Sequence, residues 1–227
     1  TKEIVRKIVN TEISIDVVHP GALDLREIKE TEVPGIIGFP IILTLARIEK
    51  RKAHIFTIEA IKRLLNEFNN IQYVIAGNGP EIKKLKKIVA LENLEQNVKF
   101  VGSINDSQKK YLFTKTDLMV MPTLDESKNR SIEGFGISYL EAAFFGIPSI
   151  ASRMGGTPEA VVHNSTGKII NEISDLYSTI KELLINEKER KFLGENSQNR
   201  AISEFKWDFI AKKYLTLINS ILEKKNK

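Results

Sequence analysis

The sequence has 227 residues, which is enough to bury a full hydrophobic core and predicts one or two domains. Apolar residues make up 42% and charged residues 28%, as in ordinary globular domains, and the absence of cysteine excludes disulfides and suits a reducing compartment such as the cytoplasm. The net charge of +5 is mild, and no aromatic residues interleave with the basic ones, so no nucleic-acid partner is expected.

The ends of the chain and its longest apolar run bear on location. The run, at about residues 36–46, is too short to cross a bilayer and contains Pro40. No signal peptide is recognisable, and a chain that starts at Thr1 is expected to be a fragment or a processed product. Lysines cluster within residues 83–87 and 224–227. They predict solvated helix faces, and the alternative is attraction to an anionic acceptor or to the inner face of a membrane.

The first 34 residues differ in pattern from the rest. A polar and apolar mixture at 1–12 favours a helix, and the alternation at 13–18 favours a strand that ends at His19. Residues 22–35 are charged and end in a Pro-Gly pair, as a linker does.

From Pro40 onward, short apolar runs alternate with helical patterns, which predicts a parallel sheet with helices on both faces. The runs are apolar throughout, as expected for strands covered on both sides. We therefore predict a three-layer, Rossmann-like α/β/α domain with about six strands over residues 35–206, and a separate last helix within 207–227. The predicted strands are 41–46, 72–76, 98–101, 117–121, 148–151 and 167–170. The predicted helices are 54–68, 80–92, 105–115, 137–145, 173–186, 187–204 and 207–224.

Ligands of open parallel sheets bind beyond the carboxyl ends of the strands. Arg47 follows the first predicted strand, Gly77-Asn-Gly79 the second, Gly102 the third and Pro122 the fourth, while Gly155-Gly156 follows the fifth. These motifs are therefore expected along one rim of the sheet.

The most informative stretch is 131–148. Glu133 precedes a turn with Gly134 and Gly136, and the helix predicted after it carries Glu141 about one turn in. Glycines before the unpaired N–H groups of a first helical turn favour phosphate binding. The two carboxylates beside this anion site suit hydroxyl groups, so the ligand that fits is a nucleotide-sugar.

Two other motifs leave alternatives open. Arg47 and Lys52 lie in a loop that a diphosphate can reach, but the adjacent basic residues also permit an ordinary surface charge. An NAD-dependent oxidoreductase is disfavoured because Ile82 and Tyr139 stand where the dinucleotide fingerprint requires its third glycine.

Over about residues 40–215 the chain resembles the C-terminal half of retaining glycosyltransferases with the GT-B fold (glycosyltransferase family 4, group 1). The signature is Glu133, seven intervening residues and Glu141, with Gly-Phe-Gly after the first Glu. Further motifs match the family in order: Ala46-Arg47-Ile-Glu-Lys-Arg-Lys52, Ala76-Gly-Asn-Gly-Pro-Glu81, Val98-Lys-Phe-Val-Gly102, Thr116-Asp-Leu-Met-Val-Met-Pro122 and Gly155-Gly-Thr-Pro-Glu159. The family usually has glycine where this chain has Ala53.

The resemblance implies roles for individual residues. Arg47 and Lys52 match the contacts to the donor diphosphate, Glu141 the residue that binds the ribose, and Glu133 the one that meets the donor sugar, so Glu133, Arg47 and Lys52 are the expected catalytic groups. No divalent metal is expected. The other expected donor-binding residues are Gly134, Phe135, Gly136, Ile137 and Ser138 through their backbone, Ile104 against the base, and Lys109 near the base.

The reaction implied is transfer of a hexose from a nucleoside diphosphate sugar to a glycan or glycolipid acceptor hydroxyl, with the anomeric configuration kept. The acceptor site of such enzymes lies in an N-terminal domain, of which residues 1–34 would be a remnant and linker, so this chain alone should bind without turnover. Without that domain, the last helix and the strand predicted at 13–18 would be left partly uncovered. They are therefore expected to allow weak self-association. The alternative is a non-catalytic nucleotide-sugar-binding or assembly module; an epimerase or phosphorylase would need motifs that this chain lacks.

Overall fold

The computed structural model describes residues 5–6, 15–126 and 133–225. Most of the helix predicted at 1–12, and the first two residues of the strand predicted at 13–18, lie outside this part. Residues 15–18 adopt no regular secondary structure, so the strand prediction is wrong there. Alternating side chains do not make a strand unless the backbone finds a hydrogen-bonding neighbour.

The described residues form an alternating series of strands and helices. The strands are β1 (Ile41–Leu45), β2 (Gln72–Ala76), β3 (Val98–Gly102), β4 (Leu118–Met121), β5 (Ser149–Ser152) and β6 (Gly167–Ile170). The α-helices are α1 (His54–Leu64), α2 (Ile82–Leu91), α3 (Asp106–Lys115), α4 (Ile137–Ala143), α5 (Thr157–Ala160), α6 (Leu176–Ile185), α7 (Glu187–Glu204) and α8 (Trp207–Lys225). Single 3-10 turns cover Lys50–Lys52 and Ile173–Asp175.

The strands form one parallel sheet in the order β3-β2-β1-β4-β5-β6, which confirms the predicted fold class. Both faces of the sheet are covered by a hydrophobic core. Leu43 and Val74 pack into one core, whereas their neighbours Ile42 and Tyr73 point to the other. This two-sided burial explains why most strand positions are apolar.

Residues 22–36 pack against the sheet domain. Ala22, Leu25 and Val33 are buried in the same core as Leu43. The N–H of Ala22 also donates to the carbonyl of Phe205 at 2.9 Å. The segment predicted as a linker is therefore attached to this domain along much of its length, while its role between two domains stays a prediction.

Helix boundaries follow local chemistry. Asn105 and Gln108 form a reciprocal capping box at the start of α3. The helix predicted at 137–145 ends two residues early, at Ala143, and the chain then turns through Gly146, whose φ is +71°. Within the part of the chain that the structure describes, no helix is both long and apolar enough to cross a membrane.

Candidate functional site

A cleft of about 550 Å³ opens at the carboxyl end of β1, against the loop that leads into α4. Eight of the eleven predicted site residues line it, namely Arg47, Lys52, Glu133, Gly134, Phe135, Gly136, Ile137 and Ser138. Pro20, Leu45, Ala46, Glu49 and Arg51 complete its walls. The other three predicted residues, Ile104, Lys109 and Glu141, are not among its lining residues.

The basic loop after β1 is shaped by a tight turn. The 3-10 turn Lys50–Lys52 ends at Ala53, which has a left-handed backbone with φ +52°. The N–H of Ala53 donates to the carbonyl of Lys50 at 3.0 Å. Glycine adopts this conformation more readily than alanine does, which gives a physical reason for the glycine of the resembled family at this position.

Five charged side chains form a continuous chain along the cleft, which we call the ion-pair cluster: Arg47, Glu49, Arg51, Lys52 and Glu133. Glu49 lies 3.0 Å from Arg47 and 3.7 Å from Arg51. One oxygen of Glu133, Oε2, accepts hydrogen bonds from Lys52 Nζ and, at 2.7 Å, from Arg51 Nη1. Three cations and two carboxylates leave the cluster with one net positive charge.

The two ends of this cluster differ in exposure. The Arg47 side chain is 78% exposed, whereas Glu133 as a residue is only 9% exposed. Burial opposes ionisation of Glu133, but the hydrogen bonds from Lys52 and Arg51 outweigh it and hold the pKa of Glu133 below its usual value. Glu133 is therefore a carboxylate near neutral pH.

The loop that carries Glu133 ends at Gly136, where the backbone conformation and the available space both require glycine. Gly136 has φ +87°, and a Cβ there would lie 2.5 Å from the Tyr139 ring. Tyr139 in turn donates its hydroxyl to the carbonyl of Met121 at 2.6 Å, which attaches the start of α4 to the end of β4. The N–H groups of this first turn are thereby fixed at the edge of the cleft.

The second glycine motif supports that loop. The N–H of Gly156 donates to the carbonyl of Glu133 at 3.1 Å. A Cβ at Gly156 would lie 2.1 Å from the carbonyl oxygen of Gly134. The Gly155-Gly156 motif therefore shapes the Glu133 loop, and it is not among the residues that line the cleft.

At the other side of α4, Glu141 is paired with Lys109. Lys109 Nζ lies 3.0 Å from Glu141 Oε1 and 3.2 Å from Asp106. Burial opposes the charge on Lys109, but these two carboxylates raise its pKa above the usual value. Lys109 lies in α3. Ile104, just before the start of α3, packs against the hydrophobic core. Sequence reasoning placed Lys109 near the base but missed its pairing with Glu141.

Sequence reasoning also missed Arg51 and His19. Arg51 was grouped with surface charge, yet its side chain is 12% exposed and contacts Glu133. His19 stacks on the Phe135 ring with centroids 5.0 Å apart, and its Nε2 lies 2.6 Å from Glu159 Oε2. In the sequence, Arg51 is one of several consecutive basic residues and His19 is an isolated histidine. No spacing pattern around either residue predicts the contacts that it makes.

Among the residues that the structure describes, no group of three or more His, Cys, Asp or Glu side chains is arranged to hold a metal ion. Among the described residues that line the cleft, the cationic side chains are Arg47, Arg51 and Lys52.

The chain is similar to known glycosyltransferases in sequence and in fold. The GDP-mannose-dependent alpha-(1-6)-phosphatidylinositol monomannoside mannosyltransferase of Mycobacterium tuberculosis (strain H37Rv) is 27% identical over 176 residues, which are 77% of this chain and 46% of that enzyme. Anabaena Alr3699/HepE, solved with UDP and glucose, has a TM-score of 0.69 at 22% identity, covering 79% of this chain and 48% of that one. The C-terminal domain of the group 1 glycosyl transferase LpcC from Francisella tularensis has a TM-score of 0.68 at 21% identity, covering 82% of this chain and all of that one.

The chain spans about half the length of the enzymes it matches in sequence. The two structural likenesses, both below 25% identity, show the fold. A sequence model of the family described as "Glycosyl transferases group 1" matches residues 29–200, which is well over half of the chain. The chain therefore belongs to the glycosyl transferase group 1 family.

Proposed function

We propose that this chain is the donor-binding domain of a retaining glycosyltransferase, which moves a hexose from a nucleoside diphosphate sugar to the hydroxyl of a glycan or glycolipid acceptor. The observation that carries the proposal is the cleft itself. Cations of the β1 loop line one wall, and backbone N–H groups before and within the first turn of α4 line the other. HepE, which shares the fold, was solved with UDP and glucose, and this supports a nucleotide-sugar as the ligand here.

The charges of the cleft suit a diphosphate. Arg47 extends into solvent beside the cleft, and Lys52 lies buried in its wall. A charge-assisted hydrogen bond contributes about 1.5–3 kcal/mol, whereas a helix terminus adds about 0.3–1 kcal/mol. The side-chain cations therefore provide most of the diphosphate affinity, and the short helix α4 mainly fixes orientation.

The same groups lower the barrier of the transfer step. As the bond between the anomeric carbon and the phosphate oxygen breaks and the bond to the acceptor oxygen forms, negative charge develops on the leaving diphosphate, and an oxygen of that diphosphate takes the proton that the acceptor hydroxyl loses. Arg47 and Lys52 stabilise that charge more strongly as it grows, which accelerates the reaction. These cations take the place of a divalent metal in the proposal. Glu133 meets the donor sugar, and Glu141 binds the ribose.

Binding to the isolated chain tests the proposal directly. UDP, GDP and ADP, with their hexose esters, are titrated calorimetrically. We expect the nucleotides of one base to bind with a dissociation constant of about 10 µM to 1 mM, equivalent to a binding free energy of about −7 to −4 kcal/mol. Arg47→Met should weaken that binding about tenfold or more. The matched control is Arg153→Met, which removes an exposed arginine after another strand. No binding of any of these nucleotides at millimolar concentration would contradict the proposal.

Catalysis needs a second measurement, because this chain spans only about half the length of the related enzymes. In the proposal the acceptor site lies in an N-terminal domain, residues 1–34 connect the two domains, and α8 packs back on that partner. The chain should therefore bind the donor without turnover and gain transferase activity when joined to that half. Binding without transfer in the joined protein would favour the non-catalytic nucleotide-sugar-binding module.

A further inference from the structure

Lys52 faces two anions if the proposed function holds, and this inference rests on that function. Its Nζ donates to Glu133 Oε2 and lies 3.4 Å from the sulfur of Met121. The same ammonium group is proposed to contact the donor diphosphate. A lysine that moves toward phosphate leaves the Glu133 carboxylate buried beside a ligand of the same charge, which costs free energy unless another cation remains.

Arg51 is placed to be that cation. Its Nη1 lies 2.7 Å from the same Glu133 oxygen that Lys52 contacts, and its side chain is 12% exposed. Its other terminal nitrogen, Nη2, lies 3.7 Å from Glu49. The N–H of Leu124 donates to the backbone carbonyl of Arg51 at 2.8 Å, which fixes the residue against the chain that follows β4.

We propose that Arg51 is a positioning residue that compensates the charge of Glu133 and holds its carboxylate in place while Lys52 turns to the donor diphosphate. A guanidinium suits this role because it keeps its charge when buried and its rigid fork can donate to Glu133 while lying beside the second carboxylate, Glu49.

The proposal makes an unusual prediction about plain nucleotides. Without Arg51, Glu133 retains Lys52 and repels the diphosphate, although Arg51 itself need not touch the ligand. Arg51→Met should therefore weaken UDP or GDP, whichever the unaltered chain binds, about tenfold. Adding Glu133→Gln to that variant removes the competing charge, so binding should recover to within about threefold of the unaltered chain.

Two further variants separate positioning from folding. Arg51→Lys keeps a charge but loses the fork and should fall between the unaltered chain and Arg51→Met. Lys50→Met removes an exposed cation from the same 3-10 turn and is the matched control. Melting curves accompany each titration, and the ligand-induced shift is compared only among variants that melt cooperatively.

A ligand-free measurement keeps the two proposals distinguishable. The carboxyl carbon of Glu133, assigned by comparison with Glu133→Gln, is titrated by NMR in the unaltered chain and in Arg51→Met. We expect the pKa of Glu133 to rise toward its usual value when Arg51 is lost, and an unchanged pKa would overturn the role of Arg51 whatever the ligand result. If Arg51→Met binds as tightly as the unaltered chain, or Glu133→Gln fails to restore its binding, the inference is wrong and the proposed function stands. Failure of the unaltered chain to bind any nucleotide would overturn the proposed function and, with it, the turning of Lys52 to a diphosphate, while the titration of Glu133 would still report its ion pair with Arg51.

Discussion

The two carboxylates of the Glu-x7-Glu signature lie at opposite ends of α4 in different surroundings. Glu133, in the loop before the helix, faces the cleft and is held by two cations, Arg51 and Lys52. Glu141, within the helix, is held by Lys109, which it shares with Asp106. Both are nearly buried, at 9% and 8% exposure. Their difference therefore lies in the number and arrangement of partners and not in burial.

This difference indicates which carboxylate has to respond to a ligand. The Glu133 end contains cations that are proposed to bind phosphate, so its ion pairs must rearrange when a donor enters. The Glu141 end can accept ribose hydroxyls while Lys109 stays in place, because a carboxylate has several acceptor positions. The predictions below test this contrast between a rearranging end and a static end.

Acid should destabilise the protein first through His54, which lies behind the basic loop with its Nε2 3.5 Å from the carbonyl oxygen of Arg47. Burial lowers the pKa of His54 from 6.5 to about 4, so the unfolded chain binds a proton between these values that the folded chain does not. The contribution of neutral His54 to the free energy of unfolding is therefore fully present above pH 6.5. It is lost as the pH drops toward 4, and the loss is on the order of 3 kcal/mol. Urea unfolding at several pH values should show this loss, and His54→Asn should flatten it. An equally steep loss in the variant would assign it to other groups.

Glu133 adds a separate contribution at lower pH. Because its folded pKa lies below 4.5, its ion pairs stabilise the protein above pH 4.5 and lose that stabilisation as pH falls further. The difference in unfolding free energy between the unaltered chain and Glu133→Gln should therefore be constant from pH 7 to 5 and shrink below 4.5. A difference that keeps its full size down to pH 3 would show that the ion pairs do not depend on ionised Glu133.

Ligand selectivity should separate the two ends most clearly. Glu141→Ala removes a proposed ribose contact and should weaken a nucleoside diphosphate and its sugar ester alike, by about 1.5–3 kcal/mol. Glu133→Ala should weaken only the sugar ester. The plain diphosphate should bind as well as before or better, since Lys52 is then released from Glu133 and free for phosphate. Calorimetric titration of both ligands measures this, and equal losses of both ligands in both variants would show that the assigned roles are wrong.

Stability gives a smaller contrast between the same two variants. Glu133→Ala leaves two nearly buried cations without their shared carboxylate, and we expect a loss of about 2 kcal/mol. Glu141→Ala leaves Lys109 with Asp106 and should cost about 1 kcal/mol. Denaturant unfolding at neutral pH measures both, and a larger loss for Glu141→Ala would reverse the proposed order.

The sequence predicted the sheet well for a physical reason. Strands buried on both faces are short apolar runs, and the helices between them begin and end at recognisable signals such as Asn105 and Gly146. The strand at 13–18 failed over its described part because alternation alone does not supply a neighbouring strand. Residues 22–36 showed the opposite error, since a charged segment with a few apolar residues still placed Ala22 and Leu25 in the core.

The candidate site was predictable where backbone geometry or strand position sets it. Gly136 and Arg47 lie where their motifs placed them, on the rim at the carboxyl end of the sheet. Side-chain partners were not predictable. The pairs Arg51 with Glu133 and Lys109 with Glu141 join residues 82 and 32 positions apart, and nothing in the local pattern couples them. Their proposed contacts with a donor stay predictions until the titrations are made.

The smallest expected effect concerns α8, which should leave both ends of α4 unchanged. Leu215, Ile218 and Leu222 are about half exposed and recur at helical spacing, so they form one apolar face. A second copy of the chain can cover that face, and we expect weak dimers at about 0.1–1 mM, close to −5 kcal/mol. Sedimentation across this range should show concentration-dependent mass, and Leu215→Gln with Ile218→Gln should abolish it while ligand selectivity stays the same. A strict monomer would refute the association only. Altered selectivity in this double variant would mean that α8 contributes to the site, and the contrast between Glu133 and Glu141 would then no longer be a property of the cleft alone.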